Sequence, residues 1–524
     1  MLEFSMGHKK KAIFKHYCME QQILLPPSLD ELLPENHIAR VINRVVNRID
    51  TSKLQEQYTG GGASSYHPLM MLKILILAYT QKLYSCRKIA KALRENIAFM
   101  WIAGGNKPDF RTLNRFRSGP LKETLEELFA SLTEFLLEEG YVSLENYFLD
   151  GTKIEANAGK YTWVWKRATD KFKLRLSKEI RDLMDHIDEI NEEEDRIYGD
   201  RDLDDPPEGS KPLPELIDEA ARIINERLKK LPENKDLKKI KKKIEEDYRP
   251  RSEKYEEQGE LFNGRNSYSK TDTDATFMRM KEDAMKNGQL KPGYNVQIGT
   301  ENQFILAYSI HPSPNDLPTF KEHMEKVKNT LNRLPKRVIA DSGYGSEENY
   351  NYCDENQVEK YIKFSMFHRE QKRKYQKDPY NKDNWPYNAE EDTFLCPQGK
   401  TFVHVNNKQN RSSSGYVSTE KVYKGPGCRG CPQKADCAKG SGDRGIGIRE
   451  KWEMHKTEVR EVLMSEEGLK MRSLRPIEPE SVFGQIKQNM EFRRFHLRGN
   501  AKVQTEWGLI SMAHNIRKVA RKGY

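Results

Sequence analysis

The sequence has no long apolar run. Its longest, around Leu69–Tyr79, is interrupted by Lys73 and is too short and too polar to span a bilayer. Residues Met1–Lys11 are basic but lack an apolar core followed by a small-residue cleavage site, so no signal peptide is expected. A cytoplasmic protein without a membrane partner follows. Cysteine is sparse, with seven in 524 residues. Cys18, Cys86 and Cys353 stand apart and read as reduced thiols, whereas Cys396, Cys428, Cys431 and Cys437 cluster. Neither sign of charge dominates: 89 Lys and Arg against 79 Asp and Glu leave +10. That moderate basic excess favours nucleic acid as a partner without establishing it. The length allows two to four modules and a large core.

What stands out is three places where an acid ends or opens an element. Tyr147-Phe148-Leu149-Asp150-Gly151-Thr152 reads as a buried strand delivering Asp150 at its end. Arg337–Gly345 repeats the pattern with Asp341. In Ile477–Lys487 an acid opens a helix. Pro479 suits a helix start, which leaves Glu478 outside and favours Glu480. Cutting a phosphodiester in line requires stabilising both the attacking and the leaving oxygen, which two metal ions do. Magnesium, or manganese, prefers oxygen ligands. Asp150 would bridge two ions, with Asp341 and Glu480 as terminal ligands. Lys487, two turns beyond Glu480, would hold a phosphate, and Arg475 could do likewise.

The rest of the chain supplies a frame. Residues 1–140 read as an all-α region, with a compact helical module at 66–118. There, His67-Pro68 starts one helix, Ser85 caps a second and Asp109 caps a third. The arrangement fits a helix-turn-helix-like DNA reader. Its candidate contacts are Arg87, Lys88, Arg111, Thr112, Asn114, Arg115 and Arg117, although solvated arginines on a packing unit would look the same. Leu121–Glu139 is an amphipathic core helix. Residues 166–258 read as an inserted, coiled-coil-like helical hairpin, with the proline- and acid-rich Asp204–Pro214 between its runs. Residues 263–291 read as loop, and strands follow at 293–299, 304–310, 335–341 and 361–364. The order predicts an α/β domain with a mixed sheet over 141–524, compatible with an RNase H-like fold. A second insert, 366–450, holds Cys428-x2-Cys431 with Cys437 and Cys396, a spacing suited to a structural zinc. The basic stretch Glu491–Gly499 adds Arg493, Arg494 and Arg498 as candidate DNA contacts, before a closing helix at Val503–Val519.

These motifs resemble the DDE transposases of bacterial insertion sequences. Phe148–Lys153, Ile339–Tyr344 and Glu480-x-x-Phe483-Gly484-x-x-Lys487 look like that family's three catalytic blocks. Residues 66–118 are similar to its DNA-binding module, and the cysteine block to one found in a branch of it. The resemblance implies binding of terminal inverted repeats in double-stranded DNA by a homodimer, and nucleoid association when bound. It also implies magnesium-dependent hydrolysis at the element ends, then attack of the freed 3′-hydroxyl on target DNA. One departure is plain: where many relatives carry Tyr and Arg before the Glu, this chain has Ser473 and Pro476, with Arg475 one residue off. A nuclease that never joins ends, or a DNA-binding regulator with an inert site, would share most of these features.

Overall fold

A computed structural model describes residues 28–58, 65–159, 161–198, 212–230, 232–280, 289–412, 414–438 and 440–523. The segment before residue 28, with Cys18 and the signal-peptide reading, and most of the stretch 204–214 lie outside the described residues.

The N-terminal module contains α1 (Pro68–Thr80), α2 (Cys86–Glu95), α3 (Phe110–Ser118) and α4 (Pro120–Glu138). α1 starts where expected, with Pro68 in its first turn and His67 Nδ1 accepting from Leu69 N. Asp109 caps α3, accepting from Thr112 N at 2.7 Å. A further short helix, Ile97–Ile102, was not expected. Asn96 both ends α2 and caps this helix through its side chain, so no glycine or proline marks the break.

Six strands form one mixed sheet: β1 (Asn146–Glu155), β2 (Thr276–Arg279), β3 (Leu290–Glu301), β4 (Phe304–His311), β5 (Arg337–Ala340) and β6 (Glu359–Ile362). β1 is antiparallel to β3 and parallel to β5, which is parallel to β6. β2 and β4 both pair with β3. The loop expected at 263–291 is therefore corrected: β2 and a short strand, Ser267–Ser269, lie within it. Its polar composition hid Tyr268, Phe277 and Met278, which are buried.

β1 is held near its start by two sets of contacts. At its start, the buried Glu301 carboxylate accepts from the backbone N–H groups of Ser143, Leu144, Glu145 and Asn146, at 2.6–3.2 Å. Charge-assisted bonds of this kind are among the stronger ones. At its second residue, Gly299 on β3 leaves room for the Tyr147 ring, which any Cβ there would strike. The Tyr147 hydroxyl bonds His323 Nε2 at 2.7 Å, on α5 (Thr319–Leu331).

The C-terminal helix α7 (Asn500–Arg521) packs against α1, α4 and β4, while α6 (Glu466–Leu474) begins the rod described below. Asn515 on α7 covers the edge of β4, accepting from Ile305 N at 2.9 Å and donating to Ile305 O at 2.8 Å. One apolar core thus runs from the N-terminal helices through the sheet to α7, and residue 140 does not divide two cores.

The helical insert is larger than a hairpin. Lys166–Tyr198 and Leu213–Lys230 are joined by Lys235–Lys243, which continues through a wide turn into Arg249–Phe262. Leu176, Ile180, Ile217, Ile224, Ile244 and Tyr248 give it a core of its own. The wide turn falls just before Pro250, which has no N–H to donate. The second insert carries a five-stranded antiparallel sheet around Trp385, Phe402 and Tyr423. No described helix is long and apolar enough to cross a membrane.

Candidate active site

β1 and β5 run parallel with Phe148 opposite Ile339. Two residues further in the same register lie Asp150 and Asp341. Asp341 follows the last residue of β5, but β1 runs on to Glu155, so the expected strand-end position of Asp150 is corrected: it lies mid-strand, paired with Ile298 on β3. The third acid comes from a continuous helical rod. α6 passes through a wide π turn (Pro476–Glu480), an α-helical turn (Ser481–Gly484) and a second π turn (Gln485–Asn489). A helix start at Pro479 is thus corrected. Pro476 and Pro479 both lie inside the rod, and their missing N–H groups fit its widening there.

The two glutamates on this turn do different things. Glu478 is buried and accepts from Gln303 N at 2.6 Å, and burial raises its carboxyl pKa. It anchors the rod to the β3–β4 turn. Glu480 is half exposed and lies 3.8 Å from Arg475 Nη1. Arg475 Nη2 is 3.1 Å from Asp150 Oδ1 and 3.3 Å from Asp341 Oδ2. A single guanidinium therefore contacts all three carboxylates, while its Nε is buried with no partner. Arg475 was expected to meet DNA; in this state it faces the acids, and its side chain is only 12% exposed.

A fourth carboxylate was missed. Asp316 Oδ1 accepts from Asn295 Nδ2 at 2.7 Å and Gln297 Nε2 at 2.9 Å. It abuts Gly151, where a Cβ would collide with Gln297 and approach Asp316. The Tyr344 hydroxyl donates to Gln297 Oε1. Burial, then the charges of Asp316, Asp150 and Asp341, push the Tyr344 phenol well above its usual range, so it stays a donor. The available signal was Asn295 and Gln297, two amides on the buried face of an otherwise apolar strand, which require partners.

The remaining expected residues divide. Lys487 is buried and donates to Thr152 Oγ1 at 2.7 Å, so it braces β1 rather than facing open solvent. Arg117 is corrected to a core residue: it is buried and donates to Tyr84 O and the Tyr79 hydroxyl. Helical spacing alone could not tell which of the α3 arginines turns inward. Arg87, Lys88, Arg111, Asn114 and Arg115 are exposed, and Thr112 lies half-buried beside the α3 cap. Arg87, Arg111, Asn114 and Arg115 border an open cleft of about 520 Å³ shared with Phe110 and His496. Arg493, Arg494 and Arg498 are exposed but also bond internally. Arg494 and Arg498 clasp the backbone of Ala156, Asn157 and Ala158, and Arg493 donates to Lys487 O.

Cys396, Cys428, Cys431 and Cys437 line one small hollow. Lys400 N donates to Cys396 Sγ at 3.4 Å, as in a metal-binding knuckle turn, while Arg444 donates to Cys437 Sγ. No three of these sulfurs come within 4.8 Å of one another; among the described residues only Asp354, His455 and Glu458 do so as potential ligands. Sulfurs sharing a tetrahedral zinc stand about 3.8 Å apart. The donor set suits zinc, but its spacing here is wider. At the Asp354 cluster, the buried Lys360 ammonium already neutralises the acids.

Residues 27–119 match a family described as transposase domain (DUF772), and residues 395–520 match the transposase DDE domain. Both matches support a DDE transposase of an insertion sequence. Glu480 and Lys487 fall inside the DDE match, while Asp150 and Asp341 precede it. No curated protein and no solved structure matches the chain. Without Arg475, the three carboxylates would lose the one guanidinium that contacts all of them. Arg475→Ala should lower unfolding stability by about 2 kcal/mol in chelator, and millimolar magnesium should restore most of it. Urea melts in the two buffers check this; an equal loss in both would contradict it.

Proposed function

We propose that this transposase binds the terminal inverted repeats of its insertion sequence, hydrolyses a strand at each end and joins the freed 3′-hydroxyl to target DNA. The observation that carries the reading is the Arg475 guanidinium in contact with Asp150, Asp341 and Glu480. A cation already sits where the three acids meet, and the unpartnered Nε shows that the fit to arginine is incomplete. The β3-β1-β5-β6 order, with β1 antiparallel to β3 and parallel to β5, supports an RNase H-like catalytic domain.

Two divalent ions, magnesium or manganese, would supply the charge that stabilises the attacking and leaving oxygens of an in-line displacement. The chain's own task is to hold their ligands. β1 holds Asp150 and the end of β5 holds Asp341 within reach of one guanidinium, and the rod brings Glu480 beside them. Lys487 keeps β1 in place through Thr152, and Asp316 is held by two amides behind Gly151. Arg475 contacts all three acids and would pair with a phosphate oxygen of the bound strand. The open basic cleft between α2 and α3 suits the end DNA. Two ends must be held together for concerted joining, which favours a homodimer on DNA. The four cysteines would hold a structural zinc in the second insert.

The test is incubation with candidate end DNA and magnesium, followed by a pre-cut end with a plasmid target. Wild type should cut and join, and Asp341→Ala should lose both by at least about 100-fold, the scale of removing a key electrostatic group. Cutting without joining would reduce the reading to a nuclease. Neither activity, with an Asp150→Asn variant that binds DNA and acts in cells like wild type, would favour a regulator. Elemental analysis of protein purified under reducing conditions should give one zinc per chain; a value near zero would remove the zinc.

A further inference from the structure

The last two turns of α7 carry Arg517, Lys518, Arg521 and Lys522. With Ser481 and Gln485 of the rod, they wall a hollow of about 130 Å³ that no acid lines. Ser481 directly follows Glu480, so this hollow adjoins the turn that presents the third acid. None of the four cations has a carboxylate within ion-pair distance among the described residues. The nearest acid, Glu478, is engaged with Gln303 N.

Several helical cations of this chain stand four residues from acids, as in Lys91–Glu95, Arg222–Glu226, Lys241–Glu245 and Lys242–Glu246. In α7 the same spacing sets Arg517 against Arg521 and Lys518 against Lys522, which is repulsive. Burial, then Lys522, pull the Lys518 ammonium below its usual range, and burial and Arg521 do the same to Arg517. The negative end of the helix favours cations in its last turn, but each such contact is modest. It does not require four without an acid. Two of them are also held in position: Lys518 Nζ lies 5.3 Å from the Phe304 ring centre, and Lys522 Nζ lies 5.4 Å from both Phe304 and Tyr141. A preorganised, uncompensated set of donors is what a phosphate anion would complete.

We propose that Arg517, Lys518, Arg521 and Lys522 form a phosphate clamp that grips the sugar–phosphate backbone of the DNA strand passing the Glu480 turn. This rests on the DNA reading above and adds a surface outside the helical module and the Arg493–Arg498 stretch. Its contacts are with phosphate alone, so it contributes affinity and position but no sequence preference.

The experiment uses the full chain and a 40-base-pair duplex of arbitrary sequence, with binding followed by fluorescence anisotropy across a salt series. Arg521→Gln/Lys522→Gln removes the two exposed cations. It should weaken binding at least about tenfold and lower the slope of log K against log salt by about 2, close to 0.9 per phosphate contact. Arg521→Lys should bind like wild type. No ion pair is lost and Lys522→Gln gives up only its contacts with the Phe304 and Tyr141 rings, so the double variant should melt within a few degrees of wild type in low salt. Unchanged affinity and slope in the double variant would overturn the clamp and leave the transposase reading intact. Wild type that fails to bind the duplex would remove both. If the double variant melts lower, Arg521→Glu decides: binding weaker than in Arg521→Lys supports the clamp, and equal binding overturns it.

Discussion

Carboxylates do not gather without a cation. Asp150 is almost fully enclosed and has Asp341 level with it just past the end of the neighbouring strand, so their mutual repulsion must be offset. Arg475 contributes to that offset and reaches Glu480 as well. The arginine lies on the same rod as Glu480, five residues earlier. One element therefore delivers both the third acid and the charge that holds the first two in place.

The sheet makes this arrangement possible. Glu301 fixes the backbone that leads into β1, and Gly299 lets Tyr147 lie across β3. His323 then holds the Tyr147 hydroxyl from α5. Glu478 ties the rod to the turn between β3 and β4, so the position of Glu480 depends on the same strands that position Asp150. α7 closes the edge of β4 and joins the helical module to the sheet in one core. The N-terminal helices and the strands that carry the acids are in this way parts of one core.

The local pattern was readable where one periodicity governs. The runs before Asp150 and Asp341 are apolar on both faces, as central strands are, and both form strands. Helix starts at Pro68 and Asp109 followed from capping chemistry. What escaped depends on contacts distant in sequence. Arg117 looks like its exposed neighbours until α1 packs against it. Asp316 stands out only once Asn295 and Gln297 face it across the sheet. The rod through Pro476 and Pro479 defeats the rule that proline marks a helix boundary, since wide turns accommodate the missing donors. The role of Arg475 toward the acids was invisible because it is a relation among four residues on three elements.

Site-directed radical cleavage of the polypeptide tests this convergence most directly. Fe²⁺ would substitute for magnesium, and ascorbate and peroxide would generate hydroxyl radicals at the bound ion. Cuts close to residues 150, 341 and 480 should appear together and disappear together when magnesium is in excess or Asp150 is changed to Asn. Cuts confined to one of these stretches, or insensitive to magnesium, would contradict a shared site.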